Sequence, residues 1–335
     1  MRKLRLASTI CGLLAGGLLS AAASAQDFYQ GKTLTFVVGF TSGGGFDANA
    51  RLLARYIGKY IPGNPDTVVT NMPGAASLTS VQYLDSSAAK DGTVINIFNF
   101  GEVGNARMGV SHVKLDFRKY NWIGSVGRDI TVCYLWHALG VKSFDEAKKR
   151  RNLHFSLTSV GTSNDINQRI LKYVLGFDLT QVKGYPGSSE ERLAIERGEI
   201  DGNCGSWAST PADWLAGNKI VPITRSGPTQ PGMPTDVPWI VDVTPEKERE
   251  PVHFLATATE VLRPFIVSAA VPADRVKLLR AGFDAAVRDP AFLADAAKQK
   301  IPVSPLNGDQ VAGMVKEIYD APDTIVDLAR KIAGE

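Results

Sequence analysis

Short apolar runs along this chain alternate with longer segments in which apolar residues recur every three or four positions. Leu34 to Val38, Thr67 to Asn71 and Thr93 to Phe98 read as strands; Phe46 to Tyr60 and Ser77 to Leu84 between them read as helices. In the first of these helices Ala50, Leu53, Ala54 and Ile57 form an apolar stripe, and Arg51, Arg55 and Lys59 form a basic row on another face, expected to be solvated. The middle of the chain repeats the rhythm. Thr131 to Trp136, His154 to Leu157, Gln181 to Tyr185 and Ile200 to Cys204 read as strands, and Asp165 to Leu175 and Glu190 to Arg197 as helices. A Pro- and Gly-rich passage from Gly227 to Pro238 predicts an irregular connection. Pro264 to Val271 reads as a further strand, and Arg275 to Val287, Pro290 to Lys298 and Gly308 to Ile332 as helices. The alternation predicts α/β architecture built from βαβ units.

One pattern occurs twice. Asp47-Ala48-Asn49-Ala50-Arg51-Leu52-Leu53 and Asp165-Ile166-Asn167-Gln168-Arg169-Ile170-Leu171 share D-x-N-x-R-[LI]-L. Each opens a predicted helix after a Phe-containing strand and a loop rich in Ser, Thr and Gly, which predicts two related half-structures.

Those loops carry the candidate chemistry. Helix N-termini leave about four N–H groups unpaired and gather roughly half a positive charge. An anion placed against Phe40, Thr41, Ser42, Gly43, Gly44, Gly45 and Phe46 needs no basic side chain, and Thr158, Ser159, Gly161, Thr162, Ser163 and Asn164 offer a second such site. A tight turn without ligand is the competing reading of the glycines. Asp47 and Asp165 either cap their helices or point into the site. Phe40, Phe46, Phe100 and Trp207 are the aromatic candidates for an apolar ligand body, with Trp207 the one to test.

Composition narrows the partners. Arg2, Lys3 and Arg5, the apolar stretch Ile10 to Leu19 and the small residues Ala23-Ser24-Ala25 read as an export signal cleaved near Ala25, which places the mature protein in a periplasm. Ile10 before Cys11 argues against lipid attachment. The chain has 37 Lys+Arg and 34 Asp+Glu; without the three basic signal residues the balance is neutral, which removes the support for nucleic acid as a partner. About 310 mature residues suit two domains. Cys133 and Cys204 are either one disulfide or two buried thiols. No phosphate loop, nucleophile elbow or zinc motif occurs, and His112, His137, His154 and His253 are isolated, so no cofactor, metal or catalytic residue is expected.

The motifs resemble a known family. "GFTSGGGFD" (Gly39 to Asp47), "VVTNMPGA" (Val68 to Ala75), "DGTVI" (Asp91 to Ile95), Gly198-Glu199-Ile200-Asp201 and "PGMPTDVP" before the last strand are similar, in order and over nearly the whole mature chain, to those of Bug-type extracytoplasmic solute receptors. These are the binding components of tripartite tricarboxylate transporters. Gly39, Thr41-Ser42, Asn71-Met72 and Cys204-Gly205 depart from the family's commoner residues. The resemblance implies a type II-like, two-lobed periplasmic-binding-protein fold with the ligand cleft between lobes. Residues 27–125 with about 242–335 would form lobe 1, and about 126–241 lobe 2. It further implies a monomer that binds a small carboxylate (a dicarboxylate, tricarboxylate or aromatic acid) and delivers it to integral membrane subunits. A secreted hydrolase or transferase using the same cleft, and a receptor for a membrane sensor, are the alternatives.

Overall fold

The computed structural model describes residues 28–109, 115–128, 130–230 and 232–334, so the export signal, Asp27, His112 and Pro231 lie outside the described residues. The chain enters at β1 (Thr33–Val38), followed by α1 (Gly45–Ile57), β2 (Asp66–Asn71), α2 (Leu78–Ser86), β3 (Val94–Ile97), α3 (Gly101–Met108) and β4 (Asn121–Arg128). Next come β5 (Thr131–Trp136), α4 (Phe144–Lys149), β6 (Leu153–Leu157) and α5 (Ser163–Arg169), which runs on as one π-helical stretch, Ile170–Val174. After these follow β7 (Leu179–Lys183), α6 (Ser188–Glu196), β8 (Gly202–Ser206), α7 (Ala212–Ala216) and β9 (Ile220–Arg225). The last part comprises α8 (Arg249–Thr257), β10 (Val261–Val267), α9 (Ala273–Ala286), α10 (Pro290–Lys298), β11 (Leu306–Asn307), α11 (Gly308–Asp320) and α12 (Asp323–Ile332).

Two sheets result. One has the order β11-β4-β10-β3-β1-β2, with β1 parallel to β2 and β3 and with β10 antiparallel to β3 and β4. The other has the order β7-β6-β8-β5-β9, with a parallel β7-β6-β8 half and an antiparallel β8-β5-β9 half. Central strands are covered on both faces: all four residues of β3 are buried, Asn96 among three apolar neighbours. On α1 the expected stripe Ala50, Leu53, Ala54 and Ile57 is buried. The basic row remains about half exposed, and each member has an acid partner: Arg51 with Asp47, Arg55 with Asp295, Lys59 with Asp289. The last two pin α1 to the α10 segment, a contact that exposed ion pairs strengthen only modestly.

Two expectations change. The predicted helix from Gly308 to Ile332 is two helices, because Pro322 lacks an N–H and disfavours the helical conformation of Ala321, which is extended (φ −56°, ψ 136°). The strand predicted from Pro264 to Val271 begins three residues earlier and ends at Val267, so Arg263 belongs to it. Elements without clear periodicity in the sequence, including α3, β4 and β9, emerge only in the structure. No described helix is long and apolar enough to cross a membrane.

Cys133 and Cys204 face each other across β5 and β8 and are disulfide-bonded, both buried. In the chain-entropy account a crosslink between residues 71 apart is worth about 4 kcal/mol.

Candidate functional site

The repeated D-x-N-x-R pattern builds two loops by the same set of hydrogen bonds. Asp47 Oδ2 accepts from the Gly43 N–H (2.9 Å) and from Arg51 Nε (2.9 Å), and Oδ1 accepts from Asn71 Nδ2 on β2 (3.0 Å). Asp165 repeats this with the Gly161 N–H (2.9 Å), Arg169 Nε (2.9 Å) and Gln181 Nε2 on β7 (2.8 Å). Asn49 and Asn167 donate to the carbonyls of Gly45 and Ser163, each four residues back. Gly43 and Gly161 sit in the left-handed region (φ +82° and +79°), where glycine avoids the steric cost of a Cβ. Burial alone would raise the Asp47 carboxyl, but the bonds from Arg51, Gly43 and Asn71 outweigh it and hold it below the usual range. Both aspartates are buried, with their oxygens committed to the loop. The Gly43 and Gly161 N–H groups are committed to them.

So braced, the loops meet at a cavity of about 190 Å³ walled by both sheets. From the first come Phe40, Thr41, Gly44, Gly45, Phe46, Asn99 and Arg263. From the second come Thr158, Ser159, Thr162, Ser163, Asn164, the turn Pro186-Gly187-Ser188, Glu191, Cys204 to Ser206 and Ser209. Gly44 is the N-cap of α1 and Thr162 that of α5. The Thr162 side chain accepts from the Asp165 N–H, whereas the α1 cap, a glycine, makes no side-chain bond; Gly44 and Gly45 line the cavity.

Of the residues expected from the sequence, Phe40, Thr41, Gly44, Gly45, Phe46, Thr158, Ser159, Thr162, Ser163 and Asn164 line this cavity. Gly43, Asp47, Gly161 and Asp165 brace the loops, whereas Ser42 is exposed and outside the cavity lining. Phe100 packs edge-on against Trp122 in the core, 5.8 Å between centroids, and Trp207 is buried in the apolar cluster around Trp214. Neither aromatic lines the cavity; Phe40 and Phe46, stacked at 4.3 Å, form the aromatic wall.

Arg263 and Glu191 were not foreseen. Arg263, 6 % exposed and at φ +54°, stacks its guanidinium 5.4 Å from the Phe46 ring and donates from Nη2 to Ser209 Oγ at 2.7 Å, bridging the two sheets. Glu191, 3 % exposed, accepts from Asn164 (3.4 Å) and Asn203 (3.1 Å); burial pushes its carboxyl up to about 7. A second bridge runs from Asn105 Nδ2 to the Gly161 carbonyl at 3.0 Å. Beside it Glu102, in the first turn of α3, is pushed by burial up to about 8.

Past the Arg263–Ser209 contact lies a second cavity of about 230 Å³ whose described lining includes Arg192, Lys300 and Arg263 and no acidic side chain. Two larger grooves, about 650 and 730 Å³, are each confined to one part of the fold, the first between α8, α11 and α12, the second beside α4 and β9. No cluster of three or more potential metal ligands occurs among the described residues.

Solved structures share the whole architecture. The periplasmic binding protein BugD superposes with a TM-score of 0.71 at 17% identity, covering 91% of this chain and 99% of its own. MatC from Rhodopseudomonas palustris, solved with bound malate, gives 0.69 at 17% identity (88% and 99% covered). A second R. palustris protein, Rpa4515 with adipate, gives 0.69 at 18% identity (90% and 97% covered). The fold is therefore the two-lobed α/β fold of periplasmic binding proteins. No protein-family model and no curated protein sequence matches the chain.

Proposed function

We propose that this protein is an exported solute-binding receptor of the Bug type, which captures a small carboxylate between its lobes and passes it to the membrane subunits of a tripartite tricarboxylate-type transporter. The observation that carries this reading is the cavity walled by both sheets, with the Arg263 guanidinium and the glycine cap of α1 on one wall. In this reading lobe 1 is roughly residues 27–125 with 242–335, and lobe 2 is 126–241. That β4 stays in the first sheet to Arg128 and β10 rejoins it at Val261 supports chain crossings in those regions.

Arg263 supplies charge-assisted hydrogen bonds to one carboxylate, aided by the N–H groups that open α1 at Gly44 and Gly45. Thr41, Thr158, Ser159 and Ser163 offer hydroxyls from both lobes, and the Phe40–Phe46 pair covers the ligand's carbon body. The volume is below the roughly 300–1,000 Å³ of drug-sized sites, which suits a molecule of a few carbons. A ligand touching both lobes favours the closed arrangement by its extra contacts there, and opening releases it unchanged. Bound malate and adipate in two proteins of this fold support dicarboxylates as the leading class.

The test is thermal unfolding of ligand-free mature protein against a panel of carboxylates, amines and sugars. At a hundredfold excess over Kd a ligand adds about 2.7 kcal/mol, a rise of several degrees in Tm. A rise confined to carboxylates is expected. No rise with any carboxylate would overturn the reading.

A further inference from the structure

The cavity's described lining holds one guanidinium, Arg263, and one carboxyl, Glu191. The partners of Glu191 are neutral: the Ser156 hydroxyl and two amides, Asn164 and Asn203, whose orientation is fixed from behind. Gln168 Nε2 donates to Asn164 Oδ1 (2.6 Å) and the Cys204 N–H donates to Asn203 Oδ1 (2.7 Å), so each amide turns its NH₂ toward Glu191. The charged and titratable groups around Glu191 are few. Arg192, next on α6, spends its guanidinium on the Ser209 carbonyl and Ser189 Oγ. Tyr134 on β5 and Tyr185 before α6 are both raised above the usual phenol range by burial first, so they remain neutral donors. Arg263 faces the cavity from β10. For Glu191 itself burial dominates, and Asn203, Ser156, Asn164 and the Arg192 charge offset it only in part.

A dicarboxylate entering this space brings two negative groups to one fixed cation. With Arg263 holding the first, the second meets a buried carboxyl, and two adjacent carboxylates removed from water do not both stay ionised. Resting on the receptor reading above, we propose that Glu191 takes a proton from solvent as the ligand enters and donates it in a hydrogen bond to the ligand's second carboxylate, so that capture of one dicarboxylate is coupled to uptake of one proton. The proton returns to solvent when the ligand leaves. Glu191 is then the residue that selects a second acid group over an ammonium, which would require the ionised form.

Calorimetric titration of the mature protein with malate and with adipate, in two buffers of unequal protonation heat at about pH 6, 7 and 8, counts the protons. Uptake is expected to be near zero at about pH 6, where free Glu191 already holds its proton, and to approach one per ligand at about pH 8. Affinity should weaken by up to about tenfold per pH unit above about pH 7. Glu191→Gln, which keeps a donor, should bind without proton uptake and with a flat pH profile, whereas Glu102→Gln should keep the uptake. Saturable binding with equal heats in both buffers at about pH 8 would overturn the inference and leave the receptor reading standing. So would proton release, or binding that tightens as pH rises, which would mark Glu191 as an ionised partner for an amine. No binding of either acid at any pH by wild type would remove the receptor reading for these dicarboxylates and this inference with it. If Glu191→Gln does not fold, the wild-type buffer comparison decides alone.

Discussion

A methyl group at Gly45 would collide with the Arg263 guanidinium, whereas one at Gly44 would meet only the Thr41 carbonyl, at 3.8 Å. Gly43 is needed for its left-handed backbone, which costs an L-residue about 1–2 kcal/mol. Two of the three glycines are thus required for different reasons, and neither reason is contact with an anion. Gly45→Ala is expected to push Arg263 aside and cut carboxylate affinity about tenfold or more with little change in Tm, while Gly44→Ala leaves affinity within about threefold. Calorimetric titration of the two variants checks this; equal affinities would contradict the packing of Arg263 on α1. Asp47→Asn leaves the Gly43 N–H and Arg51 without their charged acceptor, a loss of about 1–3 kcal/mol measurable by chemical unfolding at neutral pH. Because the native Asp47 carboxyl is depressed, its contribution is present above the ordinary carboxylate range and disappears as pH falls through the native value. The sequence showed the loop residues because glycines and a doubled motif are local signals. It hid Arg263 and Glu191, which reach the cavity from strands and helices far along the chain. The one local hint of Arg263 was its place before "PFIV", and a strand read to start at Pro264 left it out.

Secondary structure was legible where apolar spacing was regular, as in β1, α1 and β2, and illegible where it was not. The eight residues of β4, with two glycines and a serine buried among apolar neighbours, carry no alternation because both faces are covered. The N-terminal turn of α3 holds Glu102 in the interior, where Asn105 Nδ2 at 3.4 Å and the Asn99 side chain offset its burial only in part. A carboxyl raised from 4.5 to about 8 binds its proton more tightly folded than unfolded, so its stabilisation is full at acid pH and is lost as pH rises through about 8. Wild type should therefore lose several degrees of Tm between about pH 5 and pH 9 relative to Glu102→Gln, with the two alike at about pH 5. Parallel pH profiles would show that Glu102 is not held protonated. In the second sheet the β5–β8 crosslink lies beneath the cavity floor at Cys204. Replacing both cysteines by serine should cost about 4 kcal/mol and roughly 10 °C in Tm, read by calorimetric unfolding.

At the scale of the molecule, two sheets and the segments attached to them wall one cavity, and hydrogen bonds cross between the two parts at Arg263–Ser209 and Asn105–Gly161. The doubled motif already implied that symmetry: each half contributes a loop braced by Asp, Asn and Arg to the shared cavity. Ligand identity was beyond the sequence, since a backbone N–H reads charge and position but the ligand's far end meets side chains brought together only by the fold. The central claim is that this cavity captures a small dicarboxylate through Arg263. Isothermal titration of ligand-free mature protein with malate and adipate, beside Arg263→Ala, tests it directly. Saturable binding of one molecule per chain is expected, weakened about 10- to 100-fold in the variant, as loss of a charge-assisted bond implies. Equal affinities in the two proteins, or no binding of either acid to wild type, would contradict it.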